Sequence, residues 1–578
     1  MKNAYALNTP KENPGVASYV LSHVRTFLRP LALAIPLALF AINANAAQDV
    51  SVDYTNVLRK LDHLALGGVD ESAYGAPNVL VNDALQQARL KALGVPYMRI
   101  NLKYSTPGNP NSPIVCGASG CDTRWSGDDW VNHIKALGAE PVVEDPSNPS
   151  DLPSLVKHFN VDTNNPVHRW LGGINEPNIH GQTATTYSTN FNVTYDAMKA
   201  VDSTILIGGP TIAWYDSGFL QTFLNMSGSR VDFLDFHGYA QGTTQLTYDV
   251  LFGKAQTYET DILDLYKRIQ ATVPSRASNI SIEVGEWDLD DAGHALEYTP
   301  FEAAWGASTM GHILRAGGIG MLYADKGNLL LKTGAEVPNG KLDDPTPMYH
   351  ALGMYTGEGL FPSFGTDLVQ ATTSIPNVEV YASDNPKNIV VINKDPNLYQ
   401  TATFALNGVS TGSAEVWRRD QSSGSSASPV DMGAVQIVNG SFSYSLPPFS
   451  VTTFVVGGSS TPAPGPSVSG FSLYDADTKK LIGVLQNNQT ISLSKLPTTH
   501  LNVEATTAPA NVGSVVFGLD GQANFHVENY SGYFMEGKSG NYWAPTVGAH
   551  TITATPYAGK QAQGQQGNAG SIAIHVEP

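Results

Sequence analysis

Two acids in this chain stand where an apolar run stops. Trp170-Leu171-Gly172-Gly173-Ile174 leads into Asn175, Glu176 and Pro177, and "ISIEVGEWDL" carries Glu286 near its end. Proline ends the first run as a strand and leaves Asn175 and Glu176 beyond it. Two such carboxylates facing one another can share a displacement: one protonates the leaving oxygen, and the other attacks as a nucleophile or activates water. The plainer reading of either acid is a cap or a solvated surface group, so the elements around them decide.

Strand-like and helix-like stretches alternate from about residue 60 to residue 355. The strand candidates are "HLALGG" (63–68), "YMRINL", "PVVED", "HRWLGGINE", "ILIGGPTI", "VDFLDFHGYA", "ISIEVGEWDL" and "GMLYADKG", with amphipathic runs such as "NDALQQARLKALG" and "DWVNHIKALGA" between them. Continuously apolar strands suit a parallel sheet covered on both faces. Eight such units predict a (β/α)8 TIM barrel over residues 47–358, in the α/β class. A doubly wound sheet is the alternative, but no glycine-rich phosphate loop follows the first strand. After about 360 the period changes to two, in "VEVYASD", "NIVVINK", "ATFALNG" and "SFSYSLPPFSVTTFVV", which predicts a β-sandwich over 359–457. "GGSSTPAPGPS" reads as a linker (458–467), and 468–578 as a second all-β domain.

In a (β/α)8 barrel the chemistry gathers at the C-terminal ends of the strands. Glu176 ends the fourth strand of this count and Glu286 the seventh. Carboxylates on nonadjacent strands can meet across the barrel mouth, which is what hydrolysis of a glycosidic bond needs. Asn-Glu-Pro at strand four, "GGP" at strand five, "VDFLDFHGY" at strand six and Glu-Trp at strand seven resemble the clan A retaining glycoside hydrolases, and most of all glycoside hydrolase family 39. "LPPFSVTTFVV" resembles the closing sandwich strands of that clan. The resemblance spans roughly residues 50–457, and the last module resembles immunoglobulin-like accessory domains of bacterial carbohydrate enzymes.

The resemblance implies a general acid/base at Glu176 with a raised pKa, and a nucleophile at Glu286 kept charged by a cation or donors. It implies that Asn175 binds the sugar 2-hydroxyl, that His237 and Tyr239 flank the nucleophile, that Arg99 holds Glu286 ionised, and that Trp287 lies against substrate. The chain departs from the clan at strand eight. Where a tryptophan often forms the sugar floor stands Tyr323, which can also stack on a ring, with Asp325 and Lys326 beyond it. Those two charges imply either a charged sugar or a salt bridge at the rim. Glu283 is the rival nucleophile; a period of two puts it on the face opposite Glu286, and it lies deeper along the strand. Glu144 and Asp145 read as loop acids. His63 and His180 read as outer sugar contacts or as structural histidines.

The chain has 578 residues, a net charge of -18 and a pI near 5.1, which disfavours nucleic acid and anionic membranes and suits a neutral sugar. Arg25 and Arg29 precede an apolar run from Leu31 to Ile42, and Ala44-Asn45-Ala46 follows, as in a cleaved export signal over 1–46. An uncleaved anchor is the alternative. Secretion or a periplasmic location follows, and the two cysteines, Cys116 and Cys121, then form a local disulfide. "GVSTG" (408–412) lacks a following helix, and neither a zinc-protease motif nor a phosphate loop is present, so no metal or cofactor is implied. The expected protein is a secreted retaining β-glycosidase, β-xylosidase-like or endo-acting, on an oligosaccharide or polysaccharide. An inactive carbohydrate-binding or adhesion protein on the same barrel is the alternative.

Overall fold

A computed structural model describes residues 49–578 apart from 71–73, 75, 105–110, 118–119, 291–294, 458–466, 509–511, 538–539, 558–559 and 563–565. The expected export segment and all but the last residue of the expected linker lie outside the described residues.

The first strand, β1 (Val50–Lys60), does not belong to the barrel. The barrel begins at β2 (Gly68–Asp70) and β3 (Tyr97–Lys103), and a hairpin of β4 (Ile114–Gly117) and β5 (Gly120–Cys121) follows. It continues through β6 (Glu140–Glu144), β7 (Arg169–Leu171), β8 (Leu206–Ile212), β9 (Phe233–Gln241), β10 (Ser281–Asp290) and β11 (Ile319–Tyr323). All eight barrel strands run parallel, and β2 pairs with both β11 and β3, which closes the ring. Residues 63–66, expected within the first strand, form a turn, so that strand is only three residues long. The Cys116–Cys121 disulfide ties the β4–β5 hairpin.

Helices α1 (Ala84–Leu93), α2 (Gly127–Leu137), α3 (Leu152–Val156), α4 (Ala184–Val201), α5 (Ser217–Ser227), α6 (Tyr248–Thr272), α7 (Pro300–Ala316) and α8 (Pro347–Thr356) accompany the barrel strands. Their starts are written locally. Asp83 accepts from the Leu85 and Gln86 N–H groups, and Ser126 with Asp129 forms a capping box before α2. Among the described residues no helix is long and apolar enough to cross a membrane.

Tyr97, Val142, Leu171, Phe233, Ile319 and Met321 form one buried cluster drawn from five barrel strands. Beside it Arg169 and Glu283 form a buried ion pair at 3.0 Å, with the guanidinium 4.1 Å from the centre of the Phe233 ring. The barrel interior is therefore packed, and this buried charge is matched by a partner.

The sandwich follows, beginning with β12 (Asp367–Thr373), β13 (Val378–Asp384), β14 (Asn388–Asn393) and β15 (Gln400–Asn407) and ending at Val456. Strand β1 lies between β12, to which it is antiparallel, and β15, to which it is parallel. Val50, Val52 and Tyr54 alternate into the same core as Val380, Phe404 and Phe454. The expected division at 358/359 therefore needs correction: residues 50–60 carry sandwich periodicity and complete its sheet. The last domain has a four-stranded and a five-stranded sheet over one core that includes Phe471, Val503, Phe517 and Ile552.

Removing residues 49–60 should expose the edges of β12 and β15, at the cost in the barrel of the Arg59 hydrogen bond to Ala316 O at the end of α7. The shortened chain is expected to lose cooperative unfolding of the sandwich and to be cleaved early by protease between 367 and 456. A melting curve and cleavage pattern identical to those of the full chain would show that β1 is dispensable.

Candidate active site

The two acids reach the mouth by different local devices. After β7 the chain continues through Gly172 and Gly173, against which α4 packs. A Cβ on Gly172 would lie 2.7 Å from Ile207 and 2.8 Å from Phe191, and one on Gly173 would lie 2.0 Å from the Tyr187 hydroxyl. Asn175 N–H then donates to Pro146 O (3.2 Å) and Glu176 N–H to Thr211 O (2.9 Å), anchoring this segment to its neighbours on both sides. Glu176 has φ +47°, a left-handed conformation uncommon for a side-chain-bearing residue and one that clusters at functional sites. Its side chain is 20% exposed, and the carboxylate meets His237, not a backbone N–H, so Glu176 is not a cap.

Glu286 owes its direction to a bulge. The pairing of β10 with β9 shifts between Val284 and Glu286, which pairs with His237. This overturns the expectation that Glu283 and Glu286 lie on opposite faces. The extra residue, Gly285, resets the alternation, so both acids turn inward: Glu283 to Arg169 in the deep layer, Glu286 to Arg99 near the mouth. Only glycine fits at the bulge, because a Cβ there would lie 2.0 Å from Asp235 Oδ2. Trp287 then points outward. It is fully buried against Trp305 of α7, with ring centres 6.0 Å apart, so the expectation that it touches substrate is corrected.

Arg99 donates to Glu286 Oε1, and the Tyr239 hydroxyl donates to Glu286 Oε2 at 2.6 Å. Burial alone would raise the Glu286 pKa, but the charges of His237 and Arg99 and the hydrogen bonds from Tyr239 and Arg99 outweigh it and hold the carboxyl at about 2. Burial and Glu286 push the Tyr239 phenol up, so it stays a donor. His237 Nδ1 lies 3.1 Å from Glu176 Oε1 and 3.5 Å from Glu286 Oε2, a bridge between the two acids. Burial lowers the imidazole pKa, yet Glu286, Glu176 and Asp235 together leave it raised. Asp235, which the sequence reading passed over, is fully buried with Oδ1 3.6 Å from His237 Nε2. Its position two residues before His237 on one strand was the available signal.

The Asn175 side chain makes no hydrogen bond among the described residues, and its Oδ1 is buried without a partner. Tyr323 is half-buried, with its ring 6.2 Å from that of Tyr239. Lys326 answers the question of charge at the rim. It is buried, paired with Asp343 and lies 3.3 Å from Asp83, while Asp325 accepts from Gln86, so these charges brace the loop after β11. Glu144 is buried 3.6 Å from Arg99 Nε, and Asp145 accepts from Ser147 and Asn148 N–H in a turn. His180 is exposed just past Glu176. His63 is exposed beside Glu140, at the N-terminal end of β6 and so at the end of the barrel away from the mouth.

One donor atom each from Glu176, His237 and Glu286 lie within 4.8 Å of one another. Glu286 already holds the Arg99 guanidinium and a phenol proton, so a metal cation here would face an existing positive charge. The donor set suits a pair of carboxylates that handle a proton and a nucleophile.

No protein-family profile matches the sequence, and no curated protein sequence matches it either. Solved structures do. An alpha-L-arabinofuranosidase from Thermotoga maritima superposes with a TM-score of 0.57 at 16% identity over 71% of this chain and 100% of that one. A glycoside hydrolase family 51 arabinofuranosidase from Xanthomonas axonopodis pv. citri gives 0.56 at 15% identity over 71% and 100%. A family 44 xyloglucanase from Paenibacillus polymyxa gives 0.53 at 16% identity over 70% and 99%. What they share with this chain is the fold. The barrel and the all-β sheets after it form one recurring architecture.

Asp235 makes stability depend on pH. Burial first, and Glu283 and Glu144 next, push its carboxyl up to about 8 against the pull of His237 and Arg99. A raised carboxyl contributes stability that is fully present below its unfolded value near 3.8 and is lost as pH rises through about 8. Asp235→Asn cannot ionise. Denaturant midpoints measured across this range should therefore fall less for the variant than for the wild type; parallel curves would show that Asp235 does not titrate in this window.

Proposed function

We propose that this protein is a retaining glycoside hydrolase of clan A, and that Glu176 and Glu286 carry its reaction. The observation that carries this reading is the approach of the two carboxylates, with an oxygen of one within 4.8 Å of an oxygen of the other. Retaining enzymes set their carboxyl groups about 5–5.5 Å apart, whereas inverting ones leave about 6.5–9.5 Å for a water.

Glu286, held ionised by Arg99 and Tyr239, attacks the anomeric carbon. The bond from that carbon to the leaving oxygen breaks as Glu176 delivers its proton to that oxygen. The product is a glycosyl ester on Glu286. Water then enters on the vacated side, Glu176 takes a proton from it, and the resulting oxygen displaces Glu286 with net retention of configuration. His237, between the two acids, adds positive charge that helps to keep Glu286 ionised. Asn175 offers an unpaired amide for the sugar 2-hydroxyl, and Tyr323 a ring for the sugar face.

Among clan A families the motifs are most like family 39. Enzymes named for arabinofuranosides and for xyloglucan share the fold, which supports a polysaccharide or its oligosaccharides as substrate. The export-like start supports action outside the cytoplasm. β-Xylosidase-like and endo-acting activities are the candidates to assay first.

Glu286→Ala should abolish turnover of every glycoside. Glu176→Ala should slow poor leaving groups far more than activated aryl ones, and added azide should restore turnover as a β-glycosyl azide. Products followed by NMR should keep the anomeric configuration; an inverted first product refutes the mechanism.

Asn175→Ala should lower kcat by about tenfold or more while KM changes less, because a 2-hydroxyl contact that tightens at the transition state acts on the chemical step. A change confined to KM would assign Asn175 to ground-state binding only.

A further inference from the structure

Five aromatics crowd residues 530–543 of the last domain, and the structure divides them. Tyr533 and Trp543 are buried in its core, Phe534 is half-buried, and Tyr530 and Tyr542 are exposed. Tyr542 is the unusual one. The His500 ring lies flat against it, with centres 3.8 Å apart and planes within 14°, and Tyr542 stays 45% exposed. His500 is itself fixed by Asp477, with Nδ1 2.9 Å from Oδ2. One face of the tyrosine is thus backed by a held imidazole, and the ring still presents apolar surface to water. An aromatic stacked and oriented in this way gains little from burial, but it is already ordered for a partner.

A cavity of about 260 Å³ opens beside the backbone that carries this ring pair, although neither ring lines it. Asn541, which precedes Tyr542, lines it, and so does Ala476, whose N–H donates to His500 O. Its apolar wall is Tyr474 and Phe534, with ring centres 5.1 Å apart. Asp475, Lys479 and Asn541 supply the polar rim. Behind it, buried Asn502 donates to Gly537 O at 3.0 Å and accepts from Glu536 N–H at 3.1 Å, which pins the wall. A flat ring beside a small cavity with a carboxylate, an ammonium and an amide matches a sugar unit: apolar C–H faces against the ring, hydroxyls at the rim. The volume falls just under the range of about 300–1,000 Å³ for drug-sized ligands, which suits one residue of a chain.

We propose that Tyr542 and the adjoining cavity form a carbohydrate-binding site on the last domain, separate from the barrel, which holds the protein on a neutral polysaccharide. Held there, a barrel that acts on the same polymer meets it at a raised effective concentration. The site does not depend on barrel chemistry.

The test uses the full chain carrying Glu286→Ala, so that polymer is not consumed, in retardation gels cast with arabinoxylan, xyloglucan or mixed-linkage β-glucan and in pull-down on cellulose. At least one polymer should retain this parent. Adding Tyr542→Ala should weaken retention about tenfold or more, Tyr542→Phe should preserve it, and His500→Ala should weaken it by freeing the ring. Melting curves for each variant check folding; both substituted side chains are at the surface. No retention of the parent on any of the four polymers overturns the proposal. So does equal retention after Tyr542→Ala, which would assign binding to the barrel cleft. In the wild-type background Tyr542→Ala should leave turnover of a small aryl glycoside unchanged. A wild type without turnover on any glycoside would remove the barrel reading alone, and the retention results would still decide this one.

Discussion

A carboxylate stays ionised inside a protein only when a cation and hydrogen-bond donors replace the water it has lost. The Arg99–Glu286 pair meets that condition in this barrel, and much of the local structure follows from it. Arg99 comes from β3 and Glu286 from β10, so the pair joins two strands far apart in the closed sheet. Tyr239 occupies the second oxygen of Glu286, and His237 brings Glu176 into the same network. Without the imidazole and the guanidinium, burial would push the Glu286 carboxyl up toward its neutral form.

The same rule orders the layers below. Arg169 answers Glu283 deep in the barrel, and Asp235, whose pull from His237 and Arg99 does not offset its burial, is held neutral up to about pH 8. The interior thus runs from a packed apolar floor to a polar mouth, with each charge matched or protonated. Backbone geometry serves the arrangement. The bulge at Gly285 turns Glu286 inward, and the left-handed conformation of Glu176 lifts its side chain to the opposite side of the mouth. A regular β10 would send Glu286 outward and place Trp287 in the barrel.

Around this centre the chain divides its surfaces. Buried pairs such as Lys326 with Asp343 brace the loops beyond the strands, while Asn175, Tyr239 and Tyr323 set neutral groups beside the charged network of Arg99, His237 and the two acids. Tyr542, stacked on His500, stands on a separate all-β domain with its own core.

The sequence by itself determined the barrel, because continuous apolar runs separated by amphipathic helices have few other solutions, and it pointed to the two acids by their places after apolar runs; the strand before Glu176 ends well ahead of the proline, at Leu171. Period-two patterning likewise marked the later β domains. Only the tertiary structure decided where Val50–Lys60 belongs, since strand pairing across more than 300 residues leaves no local trace. Only it placed Glu283 and Glu286 on one face, because a single inserted residue reverses every side chain after it. It also turned Trp287 into the helical layer and buried Lys326 in ion pairs. Residue types and spacing are local quantities; which side of a sheet a side chain takes, and which charge it meets there, is set by pairing between segments far apart in the chain.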